Sequence, residues 1–441
     1  MSWSDTAGNL ARFAVRRTVA RVRWLANGVR WSYKVSHKRV RSVWHGGRRL
    51  AENGRNHVVN AIKAPYRAVR RPLRAASRRK SHLQERWRFY RTEWSIEREI
   101  ETIVARDRLL VAGPWLSEVG FETLYWVPFL HWLKTAFHID SSRVVAVSRG
   151  GVAAWYQGVA ERYVEIWDEI DPAEFAKRNA ARGVVKHYEP GDMDRDILDR
   201  VARRIGTADF DVLHPGLMYR LFTLYWSGQR AMGFVDAHLR FTTMTAPALI
   251  DPALLPQEYV AVKFYAARSL PDTPEIRAHL RATVAALAER LPVVLLDTGL
   301  VLEDDHADYT FATRGRVMSA RAWMTPRNNL GVQTQIVAGA KAFVGTCGSI
   351  AWLAPRLGVN TSGLFVDPKW LHAHVAVAMR AYHRMGAGRF AVADLRAIDP
   401  LGALGGGEAI SSVADDSLPR RSSTPLGTAL SESKGRSGGG A

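Results

Sequence analysis

Three stretches of this 441-residue sequence set reactive or ligand-binding side chains at the end of an apolar run, two of them beside glycine. In AFVGTCGSIAWLAPRLG, Ala342–Gly358, the residues Thr346, Cys347, Gly348 and Ser349 lie in a Gly-x-x-Gly-Ser turn between a strand and a helix. Such a turn offers backbone N–H groups and the positive end of a helix to an anion, and glycine lets a diphosphate approach closely. A strand-to-helix turn that needs glycine only for packing reads the same way. In YVAVKFYAARS, Lys263 lies within the apolar run, with Arg268 and Ser269 just beyond its end. Ligands of open α/β sheets gather outside the carboxyl ends of strands, so a cation there can meet a diphosphate; a solvated Lys or Arg near a turn is the alternative. In RLLVAGPWLSEVGFETLYW, Gly113 and Gly120 flank Glu118, and Glu122 follows. The glycines let this loop turn over a cleft, where the Glu118 carboxylate can take a proton from an attacking hydroxyl. Glu118 or Glu122 capping a helix start is the plainer role.

His214, in VLHPGLMYR with Tyr219 nearby, follows another presumed strand and is a second candidate for proton transfer, although a lone histidine is more often structural. Asp304, Asp305 and His306 in LVLEDDHADY read as a solvated loop, because three adjacent residues rarely converge on one ion. His372 and His374 are two apart on a presumed helix and face different sides. The sequence has no HExxH and no P-loop GKS or GKT, and neither a metal nor a cofactor is expected.

Short apolar runs alternating with longer amphipathic segments must position these residues, which is the pattern of βαβ units around a parallel sheet. Strands are expected at Arg108–Gly113, Arg143–Val147 and Asp211–His214, with an aromatic helix over about 121–137. A polar, Pro-containing stretch near residue 258 separates this half from a second. There the spacing predicts strands at Tyr259–Tyr265, Pro292–Asp297, Ala342–Gly345 and Thr361–Val366. Helices are expected over Pro274–Arg290, about 329–339, from near Gly348, and about 370–385. The division is an arm (1–80), a first Rossmann-like domain (81–258), a second (259–404) and a disordered, Gly-rich tail (405–441).

The order "strand, FVGT-x-GS, helix, A-x-x-LGV, strand", preceded by a segment carrying Asn329, Gln333 and Gln335, resembles the C-terminal nucleotide-binding domain of GT-B glycosyltransferases, especially the heptosyltransferase-like group. The likeness covers about 108–400 as architecture and about 330–366 as motif. It implies an α/β fold of two Rossmann-like domains facing a cleft, and transfer of a sugar from a nucleotide-sugar donor to a glycan or lipid-linked acceptor without a metal. Thr346, Gly348 and Ser349 match its donor-diphosphate loop. A cation such as Lys263 or Arg268, with Ser269, would neutralise the leaving diphosphate. Glu118 matches its base, on the acceptor loop with Gly113 and Gly120. Two departures stand out: Cys347, where related loops often carry an acidic or polar residue, and Pro355, which interrupts the following helix.

Charge is distributed unevenly. Of a net +20, residues 1–80 contribute 21 Lys and Arg against only Asp5 and Glu52, so the remainder is nearly balanced. That argues against a fold that wraps nucleic acid. Val15, Val19, Val22, Ala26 and Val29 recur at helical spacing beside Arg12, Arg16, Arg23 and Arg30, as in a helix lying on an anionic membrane. A disordered basic tail, a transit peptide and a nucleic-acid arm are the alternatives, with nucleic acid the weaker partner. The lone Cys347 excludes an intramolecular disulfide and fits a reducing compartment. The expectation is a cytoplasmic glycosyltransferase of polysaccharide or cell-envelope synthesis, peripheral on the inner face of the membrane. A non-catalytic scaffold with the same body is the second reading.

Overall fold

The structure, a computed structural model, describes residues 89–182, 188–300 and 307–397. The basic arm and the Gly-rich tail lie outside the described residues, as do Asp304, Asp305 and His306. No helix among the described residues is long and apolar enough to cross a membrane.

Two parallel sheets form an α/β body. The first has the order β3-β2-β1-β4, with β1 at Leu109–Ala112, β2 at Val144–Ser148, β3 at Arg162–Glu165 and β4 at Phe210–Leu213. The second has the order β10-β9-β8-β5-β6-β7. Its strands are β5 (Val260–Lys263), β6 (Val293–Leu295), β7 (Val317–Ser319), β8 (Ala342–Thr346), β9 (Asn360–Phe365) and β10 (Phe390–Asp394). Strands covered on both faces need continuous apolar runs, and every residue of β2 and β6 is buried. Val111 stands opposite Val145 and Val212, and Val262 opposite Leu295 and Val344.

In each sheet the chain winds first to one side of its opening strand and then to the other. The order therefore reverses between β1 and β4 and between β5 and β8, the places where open α/β sheets leave a crevice at their carboxyl edge. Glu118 and His214 follow β1 and β4. Tyr265, Gly348 and Ser349 follow β5 and β8.

Local chemistry explains the helices. Thr273 accepts a hydrogen bond from Ile276 N (3.2 Å) and Pro274 opens the first turn, so the helix Pro274–Arg290 starts where the sequence places it. The expected helix over 121–137 is instead a turn at Val119–Phe121, a π-helical segment at Glu122–Trp126 and an α-helix at Val127–Ala136. After Ser349 only Ile350–Leu353 is α-helical, and Ala354–Leu357 tightens into a 3-10 turn at Pro355, which has no N–H to donate. Three strands that the spacing did not indicate, β3, β7 and β10, all lie at sheet edges.

One face of each sheet has its own core: Val145, Phe175 and Ile197 in the first lobe, Ile276, Leu280 and Leu295 in the second. The other faces share a single core, in which Phe121, Trp126 and Tyr219 are continuous with Ile350, Trp352 and Val377.

Candidate functional site

The carboxyl edges of the two sheets face one another. Gly331 N donates to Gly150 O (2.9 Å), and Trp155 Nε1 donates to Thr334 Oγ1 (3.0 Å), linking the loops after β2 to the helix Asn329–Ala338. The loop after β1 meets the turn after β8 directly. A Cβ placed on Gly120 would lie 3.0 Å from Ser349 N and 3.0 Å from the Trp352 ring. Arg356, fully buried, donates to Thr123 O (3.0 Å) across this junction and to Thr242 O (3.1 Å). Burial brings its pKa down to about 10.

Glu118 is half-buried at the start of the Val119–Phe121 turn, and its side chain does not cap that turn. Burial pushes the Tyr219 and Tyr265 hydroxyls well up, and the Glu118 carboxylate adds to the rise in both. Glu118 is thus within electrostatic reach of Tyr219 in the first lobe and of Tyr265 in the second. Ser117 Oγ and Tyr219 OH are 2.6 Å apart on the first-lobe side. Gly113, with φ +134°, allows β1 to end against β2, where a Cβ would lie 3.2 Å from that of Val147.

Around Ser349 the backbone is unusual. Gly348 has φ +142° and admits no Cβ, which would fall 2.6 Å from Tyr265 OH. Ser349 itself has φ +41° and ψ −117°, a conformation that non-glycine residues hold at a cost of about 1–3 kcal/mol. Cys347 is buried, which pushes its thiol pKa up to about 12, so it packs here as a small apolar residue. Thr346 spends its hydroxyl on the scaffold. Its Oγ1 accepts from Tyr265 N (2.9 Å) and donates to Tyr265 O (3.0 Å), extending the β5–β8 pairing by one residue.

The two cationic candidates part company. Lys263 Nζ ion-pairs with Asp308 (2.9 Å) and donates to Leu296 O (3.0 Å), with both partners nearly buried. Asp308 also accepts from Thr298 N and Oγ1 (2.7 and 3.0 Å). Arg268 is exposed and lies over the Trp370 ring at 5.9 Å, with Lys369 Nζ over the same ring at 5.3 Å. Neither Arg268 nor Lys369 has a carboxylate partner among the described residues. Ser269 is buried and contributes its carbonyl, which accepts from Val366 N (2.7 Å) and Asp367 N (3.0 Å) and so ties the loop after β5 to the loop after β9. Lys369 and Trp370 were not singled out in the sequence; a Lys-Trp pair just past a strand end was the available signal.

His214 has both ring nitrogens engaged inside the first lobe. Gly216 N donates to Nδ1 (3.0 Å), so the ring proton is on Nε2, which faces Asp194 at 3.2 Å. The ring caps the helix Pro215–Trp226. His374 lies in the junction: its Nδ1 is 2.8 Å from Tyr125 OH, and its ring packs against Phe121, Trp226 and Trp352 at 5.1–5.9 Å.

Sequence reasoning weighed Glu122 only as a helix cap. It is fully buried in the π-helical segment, where Ser148 Oγ (2.5 Å) and Tyr156 OH (2.6 Å) donate to Oε1 and no group among the described residues reaches Oε2. Burial raises its pKa to about 7, against the lowering effects of those hydrogen bonds and of Arg149. Arg149, also buried, donates to Trp115 O and Ser117 O and holds the loop that carries Glu118.

Among the described residues, Glu93, Glu97 and His238 cluster like metal ligands, with one atom from each within 4.8 Å of the others. Arg230, stacked on Tyr90 and ion-paired with Glu93, already supplies the positive charge there.

No family model matches the chain, and no curated protein matches it. Among solved structures it is similar to the E. coli heptosyltransferase WaaC with ADP, at 14% identity and TM-score 0.35 over 68% of this chain and 98% of that one. It is also similar to the E. coli ADP-heptose LPS heptosyltransferase II, at 12% identity and TM-score 0.37 over 68% and 96% of the two chains. A glycosyl transferase family 9 structure from Veillonella parvula follows, at 12% identity and TM-score 0.34 over 65% and 85%.

Proposed function

We propose that the chain is a GT-B-type glycosyltransferase that moves a sugar from a nucleotide-sugar donor to a glycan or lipid-linked acceptor. One observation carries this reading: the two switch-point loops converge, with Glu118 and Gly120 after β1 against Gly348 and Ser349 after β8. Glu118 takes the proton of an acceptor hydroxyl as its oxygen bonds to the anomeric carbon. The bond from that carbon to the nucleoside diphosphate breaks, and charge grows on the leaving oxygen. Arg268 and Lys369, the free cations beside Trp370, stabilise that charge, so the step needs no metal. Trp370, 55% exposed, offers a flat face to a base. Lys263 and Thr346 shape this edge from beneath.

In this reading residues 1–80 hold the protein on an anionic membrane at the cytoplasmic face. Each basic side chain near the surface contributes about 1 kcal/mol, and tethering raises the effective concentration of a lipid-linked acceptor.

A second reading, a body without transferase chemistry, has an observation of its own. Lys263 is neutralised by Asp308, and the Thr346 hydroxyl is taken up by hydrogen bonds with Tyr265. A thermal-shift panel of the full chain with UDP, GDP, ADP and CMP separates the two. A ligand at 100 times its Kd stabilises the fold by about 2.7 kcal/mol. The transferase reading expects a shift with one nucleotide that Arg268→Glu abolishes; no shift with any nucleotide decides for the second reading.

A further inference from the structure

A cavity of about 350 Å3 lies between the helix Met232–His238 and the C-terminal part of the helix His372–Met385. Arg380 and Arg384, at its rim, are on the last turns of the second helix, whereas His374, in the lobe junction, is near that helix's start. The helix rises about 1.5 Å per residue, so the rim is on the order of 10 Å farther along it. The cavity's volume falls at the lower end of the roughly 300–1,000 Å3 range of small-molecule sites.

Its floor is apolar. Val235 and Val377 are each 2% exposed, Leu239 is buried beside them, and Met232 and Met385 add flexible thioethers. The rim is cationic. Arg380 and Arg384 stand four residues apart on one helix, a like-charge spacing that is unfavourable unless an anion sits between them. Asp236 is that anion, taking Arg380 at 2.7 Å and Arg384 at 2.7 Å. Arg240, across the opening, is exposed and has no carboxylate partner among the described residues. Three guanidinium groups therefore stand at the rim against one carboxylate, which pairs with two of them.

We propose that this cavity binds a single-chain amphipathic anion, an aliphatic phosphate whose chain enters between Val235 and Val377 and whose headgroup meets Arg240 and Arg384. A purely apolar ligand would leave the arginine excess unanswered, and a free phosphate would leave the well unfilled. The forked guanidinium groups suit a phosphate, which they can engage through two parallel hydrogen bonds.

The test is titration calorimetry of the full chain with octyl phosphate below its micellar concentration, beside inorganic phosphate and 1-octanol. Saturable binding of octyl phosphate, at least tenfold tighter than either comparison, is expected. Arg240→Glu at the exposed rim and Met385→Glu at the half-buried floor should each weaken it at least tenfold. Arg314→Glu makes the same change in net charge on another exposed surface and should leave it unchanged. Absence of saturable binding, equal binding of inorganic phosphate, or an Arg240→Glu protein that binds as well as the parent overturns the proposal. Flotation of the parent and Arg240→Glu proteins with vesicles of phosphatidic acid in phosphatidylcholine then identifies the source. With octyl phosphate binding established, a loss in the variant assigns the ligand to the bilayer, and equal flotation assigns it to a soluble alkyl phosphate.

Discussion

Gly120 of the first lobe lies against the backbone nitrogen of Ser349 in the second, where a methyl group would stand 3.0 Å from that nitrogen and press on it. The two loops proposed to bring acceptor and donor together thus approach within a side chain's width of each other. Gly120→Ala must displace either the strained Ser349 turn or the Trp352 ring, and overpacking of this kind costs about 1–3 kcal/mol. Urea denaturation should show that loss.

The ion pair of Lys263 with Asp308 predicts that Lys263 acts through stability. Removing one partner of a nearly buried pair costs about 3–5 kcal/mol, while replacing both by apolar residues of similar size can be neutral. Lys263→Met should lower the denaturation midpoint sharply, and Lys263→Met with Asp308→Leu should recover part of it. An unchanged midpoint in the single variant would contradict this account.

Glu122 makes folding stability depend on pH. Its folded pKa, about 7, is above the ordinary 4.5, so the folded state holds the proton more tightly than the unfolded chain. The stabilisation is complete below pH 4.5 and is lost as pH rises through 7, about 3 kcal/mol in all. Glu122→Gln keeps an acceptor for Ser148 and Tyr156 and cannot ionise. Denaturation midpoints taken from pH 5 to 8 should fall in the parent and stay flatter in the variant.

Glu118 gives the prediction closest to chemistry. As general base, its change to Gln should lower kcat by about 10²–10⁴. Gln keeps the size of the side chain and an oxygen that accepts hydrogen bonds, so stability should change far less than activity. Transfer rates and melting temperatures of the same preparations test both statements, and a parallel fall of the two would make Glu118 structural.

The central strands were legible because parallel strands buried on both faces require unbroken apolar runs, as in Val144–Ser148 and Val293–Leu295. RYVE, VMS and FAVAD form edge strands and are covered less completely; RYVE and VMS carry no such run, and FAVAD has one without the burial that goes with it. The helix Pro274–Arg290 announced itself through Thr273 and Pro274. In the candidate site, the turn at Gly348 and Ser349 and the loop at Glu118 could be placed because each follows a strand. What local sequence could not contain was the partner of each polar group. Lys263 looked like a buried cation awaiting a ligand because its carboxylate is 45 residues away, and Asp194, which holds His214, is 20 residues upstream. Glu122 was obscure for another reason: only the π-helical register turns it inward to Ser148 and Tyr156.

The core shared by Phe121, Tyr219, Trp352 and Val377 also governs how the molecule comes apart. Two lobes with separate interiors melt in two steps, each at its own midpoint. Here neither sheet can lose its inner face without stripping the other, so calorimetry of the body should record one cooperative transition, with an enthalpy scaled to both lobes together.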